Sequence, residues 1–305
     1  MNVTLFVLIS SSSYWFIKWR PLLISALKEI SDSDEMSIVN ERARLVHYEK
    51  IKRIKWIILI FYGMNVINAI FVHLPHRADV LNDSAMIPCY GMGPLTSSPK
   101  REICSTLLCL QEISSMCVVL NYQALLLLLI AQTANLYNLL SDEIMTFNNF
   151  DSQMGFINQE VKTKLPILIR RHAMLLSIIG KLKALYSVPI GINFGINAVC
   201  MLLFFYLPLQ EWFQFMPILA YCFLVFFLYC FLCQRMTNAA EGFERAVYAC
   251  GWENFELKQK KAVYVMLRQA QKPVELLAAD IIPVNIATFA AILQAMFKFV
   301  TVVKV

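Results

Sequence analysis

Charge is scarce in this chain. Asp, Glu, Lys and Arg make up 16% of its 305 residues against 58% apolar, and the mean hydropathy is +0.58. A soluble domain of this size cannot bury so much apolar surface, and the excess falls in blocks near bilayer-spanning length. Histidine is also sparse, with four scattered residues. His73 and His76 have helical metal spacing but lack a third ligand nearby, so no metal site is expected. The chain contains no GxxxxGK(S/T), GxGxxG, HExxH or GxSxG, which removes the common phosphate, dinucleotide, metalloprotease and hydrolase frames. Neither an enzyme nor a cofactor is expected. No long polar insertion interrupts the apolar blocks, so residues 1–305 read as a single domain. The first apolar run lacks a basic start and a clear cleavage site, and Lys18 and Arg20 follow it, so it reads as part of a span and not a secretory signal.

What is present is an all-α membrane protein with six candidate spans: Met1 to Phe16, Trp56 to His73, Ser105 to Gln132, Val188 to Pro208, Phe213 to Cys233 and Ile281 to Val303. Lys and Arg near span ends stay on the cytoplasmic side. Nine fall between Lys18 and Lys55, six between Asn135 and Leu185, and seven between Arg235 and Lys272, against three between Leu74 and Cys104. The three basic segments are therefore placed inside and the carboxy terminus outside. Topology accounts for the net charge of +6, so a nucleic-acid partner is not expected. Asn-x-Ser/Thr occurs at Asn2 and Asn82, both in segments that the charge rule places outside, and Asn82 is the candidate glycosylation site.

Of nine cysteines, six lie in apolar runs and read as small buried hydrophobes. Cys230 and Cys233 form a CxxC inside a predicted membrane helix, without a second ligand pair. Cys89 and Cys104 bracket the outer loop, where they either form a disulfide or remain free. Gln111 and Glu112 sit in the third run near Ser114 and Ser115, and face either a cavity or the outer headgroup region. Asn65 and Asn68 lie about one turn apart, with Met64 and Phe71 on adjoining faces. This fits either an apolar small-molecule pocket with a few polar groups or plain helix contact.

The last span has the clearest polarity. At about 100° per residue, Gln294, Lys298, Thr301 and Val305 share one side, while Phe289, Leu293, Met296 and Val300 occupy much of the rest. Such a stripe lines water, or Lys298 snorkels to the interface. Asn285 and Thr288 fall elsewhere and serve the helix start after Pro283.

Several segments in the last third occur in a specific order. They are Phe227-Leu228-Tyr229-Cys230, Ala246-Val247-Tyr248 with Trp252, Arg268 through Pro273 (RQAQKP), Phe289 with Ile292-Leu293, and Phe297 through Val303 (FKFVTVV). Together they resemble the carboxy-terminal signature of insect odorant receptors, and the likeness extends less sharply over essentially the whole chain. The resemblance implies a seven-helix bundle with an inside amino terminus and an outside carboxy terminus. It implies an odorant-binding tuning subunit of a ligand-gated, nonselective cation channel in the plasma membrane of olfactory neurons, four subunits surrounding a pore and a shared co-receptor completing the assembly. By that resemblance 236–280 contributes a cytoplasmic anchor, with a helix over Glu256 to Lys272. The stretch 281–305 is the pore helix, with Val302 near the outer gate. Small volatile ligands are expected at Met64, Asn68, Phe71, Gln111, Ser114, Phe204 and Met216, within surrounding membrane lipid.

The chain departs from that family in two respects. The first family helix and the outer part of the second are expected to be missing, so the chain resembles an amino-terminally incomplete subunit. Lys298 occupies a position where the family commonly has a small polar residue, and a cation facing the pore would oppose cation flow. Conduction is therefore expected to rest on co-receptor subunits. The sibling gustatory receptors share the topology, but their TYxxxxxQF ending is absent. A secondary transporter would show inverted repeats, and none is seen. Composition alone leaves open a structural membrane protein without a ligand.

Overall fold

The computed structural model describes residues 10–11, 13–37, 41–68, 99–149, 154–205 and 212–304. Helical turns over 13–18 lead into α1 (Arg20–Glu35), followed by α2 (Glu41–Asn68), α3 (Lys100–Met145), α4 (Met154–Phe205), α5 (Trp212–Tyr248), α6 (Leu257–Ala270) and α7 (Ile286–Lys304). Between α6 and α7, β1 (Leu277–Ala278) and β2 (Ile282–Pro283) form a small antiparallel hairpin. Among the described residues, Cys117–Asn148, Gln159–Phe204 and Leu219–Asn254 are long and apolar enough to cross a membrane, and Ile286–Val302 is a shorter apolar helix.

The core runs along the packing of α3 on α5 and continues onto α4. Leu126, Ile130, Tyr137 and Leu140 of α3 are buried there, with Ile178 and Leu182 of α4 and Val225, Tyr229, Met236 and Phe243 of α5. Their spacing of three, four and seven residues gives each helix an apolar stripe. Tyr137 and His172 both pack against Phe243, with ring centroids 6.0 and 4.7 Å apart.

The helices run well past the apolar stretches visible in the sequence. The basic segment from Asn135 to Leu185 is almost entirely helical where described, with a short 3-10 turn at Thr146–Asn149. Buried polar pairing makes this extension stable. Arg171 is 1% exposed and ion-paired with Glu143, which also accepts a hydrogen bond from Ser37 at 2.8 Å. Lys181 pairs with Glu29 at 2.8 Å and donates to Ser25 at 2.6 Å, tying α4 to α1. An unpaired charge in this setting would be costly, and pairing offsets part of that cost, since Arg171 Nε and Nη2 remain buried without a partner among the described residues.

α5 ends at Tyr248, and Gly251, with φ of +77° in the left-handed region, then turns the chain into a short 3-10 helix over Trp252–Asn254. The charged segment expected over Glu256 to Lys272 is α6. It buries Gln259, Val263 and Met266 on one face and is linked to α4 by Lys162–Glu256 at 2.6 Å.

The last helix starts at Ile286, later than the expected Ile281, because the chain first makes the hairpin. Asn285 caps it by accepting the Thr288 N–H at 2.8 Å, and the Thr288 hydroxyl donates to the Pro283 carbonyl at 2.7 Å. The hairpin is held on α4. Ala279 N–H donates to the Ser187 carbonyl at 2.8 Å, Asp280 N–H donates to Ser187 Oγ at 2.7 Å, and that hydroxyl donates to Asp280 Oδ1 at 2.6 Å. Gly191 permits this approach, since a Cβ there would lie 2.8 Å from the Ala279 Cβ.

Candidate functional site

Helix α2 divides the upper bundle into two cavities. Ile58 and Tyr62 fall on one face and Ile60 and Met64 on nearly the opposite one, as residues two apart on a helix must. Phe61 and Asn65 point between them into the bundle. Both are buried, and the Asn65 amide donates to the Phe61 carbonyl at 2.8 Å. Tyr221 of α5 packs near Phe61, with centroids 6.3 Å apart, and donates to Gln123 Oε1 at 2.7 Å. This partition separates the two spaces.

The first cavity, of about 690 Å³, lies between the helical segment 13–17, α2 and α3. Its wall includes Phe16 and Ile17, then Ile58 and Tyr62, then Cys117, Val118, Asn121, Tyr122 and Leu125. The wall is mostly apolar, with a small polar group. Tyr62 donates to Asn121 Oδ1 at 2.8 Å, and the Asn121 amide donates to the Cys117 carbonyl at 2.7 Å. Tyr122 is buried, and its hydroxyl has no hydrogen-bond partner among the described residues. An adjoining recess shares Phe16 and Tyr122 and adds Trp15, Trp19 and Tyr186, and the indole N–H groups of Trp15 and Trp19 are unpartnered in the same sense. Buried donors without partners are uncommon and costly. An apolar space with a polar pair such as Tyr62–Asn121 on its wall is the usual form of a small-molecule site.

The second cavity is larger, about 940 Å³, and lies between α2, α4, α5 and α7. Met64, Met201 and Met216 line it with Phe223 and Phe227, and α7 contributes Leu293, Gln294, Met296, Phe297 and Lys298. Helix α7 is seated on α5 through Phe289, whose ring lies 5.1 to 5.6 Å from those of Phe223, Phe226 and Phe227.

The residues expected from sequence to bind ligand are therefore not all together. Met64 and Met216 share the larger cavity. Phe204 is buried and Ser114 exposed, and neither lines these two spaces. Phe71, and the side chains of Asn68 and Gln111, lie outside the described residues. Of the polar stripe on the last helix, Gln294 and Lys298 stand at the edge of the larger cavity, Thr301 is exposed with its hydroxyl on the Lys298 carbonyl at 2.8 Å, and Val302 is 77% exposed. Val305, Asn82 and Cys89 lie outside the described residues. Cys104 takes part in a disulfide. Cys230 and Cys233 are buried free thiols, and no group of metal-binding side chains occurs among the described residues. Sequence reasoning missed Tyr62, Asn121 and Tyr122. The available signal was a Tyr and an Asn inside apolar runs, each a polar tip that requires a partner.

A sequence profile of the family described as "7tm Odorant receptor" matches residues 1–297. Odorant receptor 22a of Drosophila melanogaster is 24% identical over 162 residues, which are 51% of this chain and 41% of that protein. Odorant receptor 10a of the same species is 32% identical over 77 residues, 25% of this chain and 19% of that protein. The chain thus matches less than half the length of these curated relatives. In three dimensions it is similar to the insect olfactory receptor OR5 from Machilis hrabei, with a TM-score of 0.84 at 15% identity, covering 98% of this chain and 78% of that one. The same receptor in complex with eugenol gives a TM-score of 0.80 at 14% identity.

Proposed function

This chain belongs to the 7tm odorant receptor family, a family of multi-pass membrane proteins, and from that premise we propose that it is the odorant-binding subunit of a ligand-gated, nonselective cation channel. The 690 Å³ cavity is the ligand site in this reading. The observation that carries it is the Tyr62–Asn121 hydrogen bond of 2.8 Å, an accessible polar pair on the otherwise mostly apolar wall of that cavity. Apolar contacts with Phe16, Ile17, Ile58 and Leu125 would supply most of the affinity, and one hydrogen bond would orient the ligand.

In this reading the chain assembles with a shared co-receptor in the plasma membrane of olfactory neurons, its carboxy terminus outside. Residues 236–280 contribute the cytoplasmic anchor, and α7 presents Gln294, Lys298, Thr301, Val302 and Val305 towards the pore. Support for the assembly comes from apolar surface that one chain leaves uncovered. Leu257, Tyr264 and Val265 of α6, the helix this reading places in the cytoplasm, are all exposed, more than scattered surface apolars require. Ligand binding would favour the state in which α7 moves outward, opening the gate by population shift.

The test is odour-evoked cation current after co-expression with the co-receptor. A ligand with a hydrogen-bonding group should activate the wild type, and Tyr62→Phe should weaken its potency about tenfold, since a lost hydrogen bond is worth roughly 1 kcal/mol or somewhat more. A ligand without a polar group should respond equally to both. Equal dose-response curves for the polar ligand would refute the site.

A further inference from the structure

We propose that the larger cavity is a second binding site, for a long-chain carboxylate whose acyl tail lies among Met64, Met201, Met216, Phe223 and Phe227 and whose head pairs with Lys298. This goes beyond the odorant-site reading and depends only on the chain being a membrane protein. Three observations converge on it. The wall is apolar, Gln294 and Lys298 of α7 meet it through their stems, and Lys298 is the only charged residue along it among the described residues. Among the described residues Lys298 has no ion-pair partner. A lone cation at the rim of an apolar cavity is complementary to an anionic amphiphile and to neither a neutral volatile nor a cationic one.

The shape and lining agree with a flexible tail. Met216 and Phe227 both line the cavity along α5, a span of about 16 Å at 1.5 Å per residue. Four lining methionines, Met64, Met201, Met216 and Met296, provide unbranched polarizable side chains that adapt to a mobile chain. The site also touches α7 directly through Leu293, Met296 and Phe297. An occupant would therefore bear on the same helix that the proposed gate moves. Its carboxylate would neutralise Lys298, the cation that otherwise opposes cation flow if it turns to the pore.

The experiment is photolabelling of the co-receptor-assembled receptor in insect-cell membranes with a diazirine-bearing long-chain carboxylate, and with the matched long-chain alcohol. Labelled peptides are mapped by mass spectrometry. The carboxylate should mark peptides containing Met216 to Phe227 and Leu293 to Val300, and unlabelled long-chain carboxylate should compete. Lys298→Gln should lower that labelling about tenfold, the usual scale of a hydrogen bond to a charged group. Lys298→Arg should retain it, and alcohol labelling should be weaker in the wild type and insensitive to Lys298→Gln. Short-chain acids should not compete, which separates a lipid-like ligand from a small volatile acid. Met216→Trp, at an exposed position that tolerates bulk, should exclude the tail. Labelling that ignores Lys298→Gln and Met216→Trp, or that is spread over exposed residues of α3 such as Leu107 and Leu110, would overturn the proposal. Binding is read without current, so failure of the odorant-site reading would leave this result unchanged.

Discussion

Gly191→Ala should loosen the hairpin that precedes α7. The added Cβ would lie 2.8 Å from the Ala279 Cβ and 3.0 Å from the Ala279 backbone nitrogen. Carbon atoms in contact prefer about 3.5–4.0 Å, so the hairpin must retreat by roughly 1 Å. The neighbours are a Cβ and backbone, and neither can rotate aside. Retreat on that scale would stretch the hydrogen bonds at 2.8, 2.7 and 2.6 Å that Ser187 makes to Ala279 and Asp280. Overpacking of this kind costs about 1–3 kcal/mol, and strained hydrogen bonds add roughly 1 kcal/mol. A total loss of about 2–4 kcal/mol follows from these two terms. Ala279→Gly removes the shortest of the close contacts and relieves a non-glycine residue at φ +52°. The double variant should therefore recover much of the loss, although the backbone contact remains. The assay is thermal stability of the assembled receptor in detergent, read by fluorescence-detected size exclusion, for wild type, both single variants and the pair. A Gly191→Ala receptor that melts with the wild type, or a double variant no better than Gly191→Ala alone, would refute the reasoning.

Other substitutions probe the inner half of the bundle. Glu143→Ala leaves Arg171 charged and 1% exposed without its carboxylate, and should cost about 3–5 kcal/mol, with surface abundance collapsing in a biotinylation assay. Adding Arg171→Met should restore much of that abundance, because an apolar pair of similar volume replaces the ion pair. By contrast, Glu256→Gln breaks the Lys162 pair, whose side chains are 50% and 45% exposed, and should shift the melting temperature by no more than about 1 kcal/mol would. Phe243→Ala empties a position buried between Tyr137 and His172, and should destabilise by about 3–5 kcal/mol in the same melting assay.

The helices were legible where periodicity and capping are local. Pro283 and Asn285 mark the start of α7 because a proline ends one segment and an Asx side chain caps the next, and both signals sit within a few residues. The hairpin before it was not legible, since Leu277 to Pro283 owes its order to Ser187 and Gly191, about ninety residues earlier. The length of α3 and α4 was hidden for the same reason. Glu143 and Arg171 look like solvated charges until the fold buries them against each other. Met64 and Met216, expected at the ligand site, line the larger cavity and not the one assigned here to the ligand. What sequence could not show is that Gln294 and Lys298 join them there, or that Tyr62 and Asn121 meet across the other face of α2. Such pairings are set by helix rotation, which no single stretch of chain encodes.

Cys117 offers the most direct test of the ligand site. It is an exposed free thiol in the wall of the 690 Å³ cavity, so Cys117→Trp fills that space while the position tolerates the added bulk. Odour-evoked current should be measured in the co-receptor-assembled receptor, with surface abundance matched between variants. The account predicts a dose-response curve shifted to at least about tenfold higher ligand concentration, since a displaced ligand loses at least 1.4 kcal/mol of contact. An unchanged curve at equal surface abundance would contradict it.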